Sequence, residues 1–247
     1  MLRADQALVE RGLCESREKA KRAIMAGQVL LNNQPVRKPS DAVKTDDELT
    51  LSAAEKYVSR GGLKLEHALQ HFNLDVAGLT AMDLGASTGG FTDCLLQAGA
   101  KKVFAVDVGQ GQLAWRLRRD PRVEVMEKTN ARNLTPAQFP QPFVPFGLAV
   151  VDCSFISLRK ILPPAVALLQ SSARIVALIK PQFEAGKAEV DKGAGVIRDA
   201  AIHERVLRDL QDFVKGQANL RWCGVTESPL TGPAGNKEFL VLIEKTG

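Results

Sequence analysis

Met82-Asp83-Leu84-Gly85-Ala86-Ser87-Thr88-Gly89-Gly90-Phe91-Thr92-Asp93 decides the fold. The apolar run from Leu79 to Leu84 breaks at once into glycines, and Phe91, Cys94, Leu95 and Leu96 then recur at helical spacing. That succession predicts a buried strand, a tight turn and a helix. Glycines in such a turn let the backbone approach a ligand with no Cβ in the way. The free N–H groups of the helix start point at whatever sits there.

The missing residues narrow the choice of ligand. A dinucleotide-binding turn needs glycine where this chain has Ser87, and a phosphate-cradling loop needs Lys where Phe91 follows Gly90. An acid, Asp83, stands two residues before the first glycine. A second, Asp107, closes the next apolar run Val103-Phe104-Ala105-Val106, at the spacing where a carboxylate meets a ribose diol. A carboxylate beside the turn attracts a cationic amino-acid end and repels a pyrophosphate. The pattern resembles the S-adenosylmethionine site of Rossmann-like methyltransferases. On that resemblance Asp83, Gly85, Ala86, Ser87, Gly89, Gly90 and Phe91 surround the methionine end and the turn. Asp107 and Val108 take the ribose, Asn130 the adenine end, and Asp152 borders the cofactor.

Further apolar runs at 79–84, 103–107, 123–127, 147–152 and 174–180 alternate with helical stretches, which predicts a parallel, doubly wound sheet. Two late strands, 221–225 and 239–243, are separated by the turn-rich Ser228-Pro229-Leu230-Thr231-Gly232-Pro233. Such a connection cannot hold a crossover helix, so this pair is antiparallel and completes a seven-stranded, mostly parallel sheet. Ligands of open α/β sheets sit at the carboxyl ends of the strands. Asp152 and Lys180 end their strands there, and Glu238 begins the reversed last strand at the same rim. An ionisable group abutting an apolar run is costly unless it is paired or used.

The chain has 247 residues, room for a large domain and a small one. Hydrophobic content of 45% and charged content of 25% suit a soluble globular protein, and a net charge of +5 permits an anionic partner. Cys14, Cys94, Cys153 and Cys223 are far apart with no C-x-x-C pair, which suggests neither zinc nor disulfides, and a reducing cytoplasm fits best. The start Met1-Leu2-Arg3-Ala4-Asp5 lacks a signal-peptide core, and the run from Ile161 to Leu169 is interrupted by Pro163-Pro164. No run approaches the ~20 apolar residues of a membrane span.

The small domain occupies residues 1–52, the linker 53–57 and the large domain 58–247. In the first, Leu2, Leu8, Val9 and Leu13 give a helical stripe ended by Gly12; Ser16 caps a second helix through Ala26, with Gly27 as its stop. Short strands are expected at 29–31, 36–39 and 49–51, so this domain is α+β. Residues 1–40 hold eight Lys/Arg (3, 11, 17, 19, 21, 22, 37, 38) against four acids (5, 10, 15, 18). The spacing Leu8-Val9-x-x-Gly12-Leu13-x-x-Ser16-Arg17-x-x-Ala20-x-x-x-Ile24-x-x-Gly27-x-Val29 resembles the S-four-type RNA-binding domain. That resemblance makes Arg3, Arg17, Lys19, Lys21 and Arg22 the expected RNA contacts. Arg60, Lys187, Lys192 and Arg198 are the further candidates, the last three in or beside a glycine- and charge-rich stretch that reads as a lid or a mobile loop.

Ser59-Arg60-Gly61-Gly62-x-Lys64-Leu65, the turn at 83–93, Asp152-x-Ser154-Phe155-Ile156-Ser157-Leu158, Lys180-Pro181-Gln182-Phe183-Glu184 and Gly235-Asn236-x-Glu238-Phe239-Leu240 together resemble the TlyA-type family, along essentially the whole chain. These are ribosomal RNA 2′-O-methyltransferases of the FtsJ-like class, also labelled haemolysins. The resemblance implies a catalytic tetrad of Lys64, Asp152, Lys180 and Glu238, with S-adenosylmethionine as cofactor and ribosomal RNA as partner. In the expected reaction Lys180 takes the proton of a ribose hydroxyl, its basicity tuned by Lys64 and by burial, while the two carboxylates orient the lysines.

His67 and His71 have the spacing of metal ligands on a helix but no third ligand, so a surface helix is expected and no metal. Cys153 reads as a small buried residue, not a nucleophile, and Trp115 and Trp222 as core or rim packing. Two other functions compete: a membrane-active haemolysin, and an RNA-binding protein with an inactive methyltransferase domain. The absence of a spanning segment speaks against the first, the intact tetrad against the second.

Overall fold

The computed structural model describes residues 1–51 and 56–247, apart from the side chains of 187, 188 and 192. The chain divides into two compact units, Met1–Lys56 and Tyr57–Gly247. Residues 53–55 of the expected linker lie outside the described residues.

In the first unit β1 (Leu2–Arg3) leads into α1 (Ala4–Glu10) and α2 (Arg17–Met25), followed by β2 (Val29–Leu31), β3 (Gln34–Pro35), β4 (Ala42–Val43) and β5 (Leu49–Leu51). β1 pairs with β4, and β2 lies between β3 and β5, all antiparallel. Ser16 caps α2 by accepting from the Lys19 N–H. The first helix differs from expectation: Leu2 is in β1 and 38% exposed, while Ala4, Ala7 and Leu8 carry the buried stripe. Small alanines let α1 lie close on α2, a signal that counting large apolar residues misses. The strand expected at 36–39 is also displaced. Asn32 and Asn33 both take positive φ, 49° and 64°, as a two-residue hairpin turn requires. That turn sets Gln34 opposite Leu31 and Pro35 opposite Leu30.

The second unit runs α3 (Gly61–His71), β6 (Thr80–Leu84), α4 (Gly90–Gln97), β7 (Lys102–Val106), α5 (Trp115–Arg118), β8 (Val123–Met126), β9 (Phe146–Val151), α6 (Leu158–Ala167) and β10 (Leu169–Ile179). It continues through α7 (Pro181–Glu184), α8 (Lys187–Lys192), α9 (Ala200–Lys215), β11 (Leu220–Glu227) and β12 (Phe239–Lys245). The seven-stranded sheet has the order β11-β12-β10-β9-β6-β7-β8. β12 is antiparallel to both its neighbours, and the pairings from β10 to β8 are parallel. From β6 the chain steps outward through β7 to β8, then returns to β9 on the other side of β6. The crevice between β6 and β9 is therefore the switch point where such sheets bind ligands.

Alternation along the strands feeds two cores. Met82, Leu84, Ala149 and Val151 join Ile161 and Leu162 of α6 and Val206 and Leu210 of α9 on one face. Ala81, Leu148 and Val150 join Leu65 and Leu69 of α3 and Leu95 of α4 on the other. Leu65 and Leu95 are fully buried, each contributing about 1.5–3 kcal/mol. Among the described residues no helix is long and apolar enough to cross a membrane.

Candidate active site

The strand register puts the expected polar residues on one rim. Ile179 pairs with Phe239, so Lys180 and Glu238 flank the last rung of β10 and β12. Val151 of β9 pairs with Leu84 and Ala177, which sets Asp152 on the same edge. Lys180 Nζ lies 2.6 Å from Asp152 Oδ1 and donates to Ser154 Oγ at 2.8 Å. Lys64, on α3, pairs with Glu238. Lys64, Lys180 and Glu238 are all buried. The four expected residues thus form two ion pairs. The sequence predicts that Lys64 acts on Lys180; the structure gives Lys64 a carboxylate of its own.

A close approach of two backbones brings α3 and Lys64 to this edge. A Cβ built on Gly90, in the first turn of α4, would lie 2.8 Å from the Gly62 nitrogen and 3.1 Å from Gly61 Cα. Glycine at position 90 is what lets α3 and α4 approach so closely. Gly85, at φ 87°, also admits no side chain: its Cβ would meet the Asp152 carbonyl oxygen at 2.7 Å.

Beside this rim a cleft of about 560 Å³ opens at the ends of β6, β7 and β9, within the range of small-molecule sites. Gly85, Ser87, Asp107, Val108, Asn130 and Asp152 line it, with Cys153, Ser154 and Phe155 on its wall. Asp107 accepts from the Ser87 N–H at 2.8 Å and the Gly109 N–H at 2.7 Å, holding both loops around the opening. Asn130 accepts from the Arg132 N–H.

The remaining members of the expected cofactor set do not line the cleft. Ala86 and Phe91 are buried in the core, and Gly89 and Gly90 pack against α5 and α3. The first turn of α4 faces inward, which spacing alone does not reveal. Asp83 is wholly buried. Its Oδ2 accepts from the Thr92 hydroxyl at 2.6 Å, while Oδ1 has no donor. Burial pushes its carboxyl up to about 7 against that hydrogen bond, with repulsion from Asp152 adding to the rise.

The FtsJ-like methyltransferase family profile matches residues 57–245, and the S4 domain profile matches residues 2–49. The chain belongs to the FtsJ-like methyltransferase family. It is 46% identical over 243 residues, 97% of this chain and 88% of the relative, to the 16S/23S rRNA (cytidine-2′-O)-methyltransferase TlyA of Mycobacterium tuberculosis. It is 50% identical to YqxC of Bacillus subtilis, a candidate rRNA methyltransferase, over 99% of this chain and 86% of that one. Among solved structures, a candidate hemolysin from Streptococcus thermophilus aligns with TM-score 0.75 at 46% identity, over 99% of this chain and 88% of the other.

Within the methyltransferase domain Ser154, Phe155 and Glu184 belong to sequence motifs that assign them no role. Phe155 is 89% exposed and sits at φ 62°, a conformation that a bulky residue takes only when its surroundings impose it. Its ring lies 5.0 Å from that of Phe183 on α7. His67, half-buried on α3, contacts Thr226 Oγ1 at 3.3 Å and stacks on His71. Cys153, expected to be buried, is half-buried on the cleft wall, and its surroundings raise its thiol to about 12, which disfavours the thiolate. Trp115 is 71% exposed, so it is no core residue; α5 is a single turn that buries Leu117 instead.

In the S4 domain the expected cations are mostly ion-paired. Arg3 and Arg17 both bond the buried Asp5 at 3.0 Å, and together, Arg3 foremost, they hold its carboxyl down at about 2. Lys19 pairs with Glu15, and Lys21 with Glu18 at 3.1 Å. Arg22 is exposed with no ion-pair partner among the described residues. In the methyltransferase domain Arg60 and Arg198 are exposed, and the stretch read as a loop at 185–195 contains α8, with Lys187 and Lys192 at its ends. The side chains of both lysines lie outside the described residues.

Proposed function

We propose that this chain transfers a methyl group from S-adenosylmethionine to a ribose 2′-hydroxyl of ribosomal RNA, the reaction that names its M. tuberculosis relative. The observation that carries the reading is the pairing of Lys180 with Asp152, and of Lys64 with Glu238, at the rim of a cleft bordered by the glycine turn. The residues fit the cofactor. Asp83 presents a buried carboxylate oxygen with no donor, which a cationic amine satisfies. Asp107, on the cleft wall, offers its remaining lone pairs to a ribose diol, and Ser87, Val108 and Asn130 complete the lining.

When bound, S-adenosylmethionine supplies an electrophilic methyl group on a sulfonium. The chain's own residues must activate the other reactant, because a ribose hydroxyl is a weak nucleophile. Lys180 Nζ takes that proton, and it must first shed one of its own; Asp152 Oδ1, 2.6 Å away, is the acceptor in reach. Lys64 and Glu238 hold the hydroxyl in line, positioning worth several kcal/mol (up to about 7–11) in favourable cases. The exposed ring of Phe155, on the cleft wall, offers a face on which the target base can stack once it is drawn out of the RNA. Arg3, Arg17, Lys19, Lys21 and Arg22 of the S4 domain, with Arg60, Lys187, Lys192 and Arg198, hold RNA phosphates. Such a substrate is met in the cytoplasm.

The test is transfer of tritiated methyl from S-adenosylmethionine to ribosomal subunits, followed by mapping of the label. Label on a ribose with the wild type, and loss of transfer in Lys180→Ala with cofactor binding intact, is the expected outcome. Label on a base, or near-wild-type turnover in the variant, refutes it.

A further inference from the structure

Two motifs that follow the rim residues lock onto each other. Asp152 leaves β9 into the loop Cys153-Ser154-Phe155-Ile156-Ser157, which ends at the start of α6. Lys180 leaves β10 directly into α7, whose last residue is Glu184. Glu184 reaches back across to that loop. Ser157 Oγ donates to its Oε2 at 2.6 Å, and the Leu158 N–H donates to its Oε1 at 2.7 Å. Phe183, one residue earlier, packs its ring against that of Phe155, tilted by 46° at 5.0 Å. Burial raises the Glu184 carboxyl, whose two hydrogen bonds offset part of that cost.

The clamp has a consequence for Lys180. A lysine ammonium has three N–H directions, tetrahedrally disposed. Ser154 Oγ at 2.8 Å takes one of them, and Asp152 Oδ1, 2.6 Å away, is the ion-pair partner, so the amine is held between the two groups. Asp152 is anchored by the sheet, its N–H bonded to the Leu84 carbonyl at 2.9 Å. Ser154 is exposed and sits in a loop whose neighbour, Phe155, is held at a strained φ of 62°. Cys153 donates to the Leu84 carbonyl at 3.4 Å and Ile156 packs on the core, and beyond Ser154 the loop is held by the contacts from α7.

We infer that Glu184 is a positioning residue: by pinning Ser157 and Leu158 it holds the Ser154 loop in place and thereby aims Lys180 Nζ at the substrate hydroxyl. This rests on the methyl-transfer reading for the identity of that hydroxyl, and on the geometry alone for the aiming of Lys180. Gln keeps both hydrogen bonds, since its carbonyl oxygen accepts from the Leu158 N–H and its amide donates to Ser157 Oγ; Ala keeps neither.

The experiment compares Glu184→Ala and Glu184→Gln in the full chain. Methyl transfer to ribosomal subunits gives kcat and KM, calorimetry gives cofactor Kd, and the rate of reductive methylation of the Lys180 amine is followed across pH 6–10. Glu184→Ala should lower kcat about 10–100-fold, leave cofactor Kd within about twofold, and displace the pH profile of Lys180 labelling; Glu184→Gln should restore kcat and that profile. Three outcomes overturn the inference: wild-type kcat in Glu184→Ala, an unmoved Lys180 profile, or a Glu184→Gln as impaired as the Ala variant. Where the wild type itself transfers no methyl group to RNA, the methyltransferase reading falls and the Lys180 profile alone decides the clamp.

Discussion

Replacing Asp83 by Asn tests the buried carboxylate from two sides. Burial first, then repulsion from Asp152, raises its carboxyl from 3.8 to about 7, while the Thr92 hydrogen bond opposes the rise. An acid whose folded value is raised keeps its proton in the native state at pH values where the unfolded chain has released it. The native state then binds more protons than the unfolded one between about pH 4 and 7, so stability falls as pH rises through that window. The full difference, at pH well above 7, is about 4 kcal/mol at ~1.4 kcal/mol per unit. Between pH 5.5 and 8 about half of it, ~2 kcal/mol, is lost, which for a chain of this size is a fall in Tm of roughly 4–8 °C. Glu184 is raised by burial as well, so the wild-type slope is not Asp83's alone; the difference between wild type and Asp83→Asn isolates it. Without cofactor, the Asn variant should lose less stability over this range and be the more stable protein at pH 8. Its affinity for S-adenosylmethionine should nonetheless be at least about tenfold lower, because a buried carboxylate facing an ammonium gives a charge-assisted bond that an amide cannot. Wild-type affinity should also rise with pH through 7 as the carboxylate forms. Thermal melts at four pH values and calorimetric titration at two are sufficient. Equal slopes in the two proteins, or equal affinities, refute the reasoning.

Other variants probe the remaining parts. Phe155→Ala should weaken productive RNA engagement by about 1–3 kcal/mol, roughly 5–150-fold in kcat/KM, without changing cofactor Kd; an unaffected kcat/KM would remove the stacking role. Gly90→Ala places a Cβ 2.8 Å from the Gly62 nitrogen, which should cost about 1–3 kcal/mol and several degrees of Tm; an unchanged melt would show that α3 and α4 part without penalty. Changing Arg17, Lys21 and Arg22 together to Ala should weaken RNA binding and flatten its salt dependence, by about 0.7–0.9 in log–log slope for each phosphate no longer neutralised. A filter-binding titration over several salt concentrations reads this directly, and an unaltered slope would place the RNA elsewhere.

The glycine turn is legible in the sequence because strand, turn and helix are each a local pattern, and the reversed last strand because residues 228–233 are too rich in turn formers to cross over. From those two facts the rim follows, since a parallel sheet leaves little freedom in where its strands end. What depends on side-chain direction is not legible. Asp83 and Gly85 are two residues apart, yet one is wholly buried with an oxygen that has no donor and the other lines the cleft. Phe91 looks like part of the turn, but the first turn of α4 points it inward. The acids among the N-terminal cations read as a reduction in charge, whereas Asp5 is the hub that fixes Arg3 and Arg17. Residues 32–35 fall between two expected strands, but the type of turn there, and so the register of Gln34–Pro35, requires the φ angles.

The two ion pairs also bear on why the domain is built this way. Desolvating Lys64, Lys180 and Glu238 is expensive, and a buried ion pair is commonly no more stabilising than apolar residues of the same volume. A fold selected for stability alone has no use for two of them on adjacent strand ends. The sheet positions Asp152, Lys180 and Glu238 through its backbone ladder, and that part of the arrangement would survive many substitutions in the surrounding helices. Lys64 has no such support. It reaches Glu238 from a different element, 174 residues away in sequence, and only because Gly62 lies against Gly90. The residue that completes the set is therefore positioned by one missing methyl group: a Cβ on Gly90 would lie 2.8 Å from the Gly62 nitrogen and strain the placement of Lys64 before it touched any charged residue.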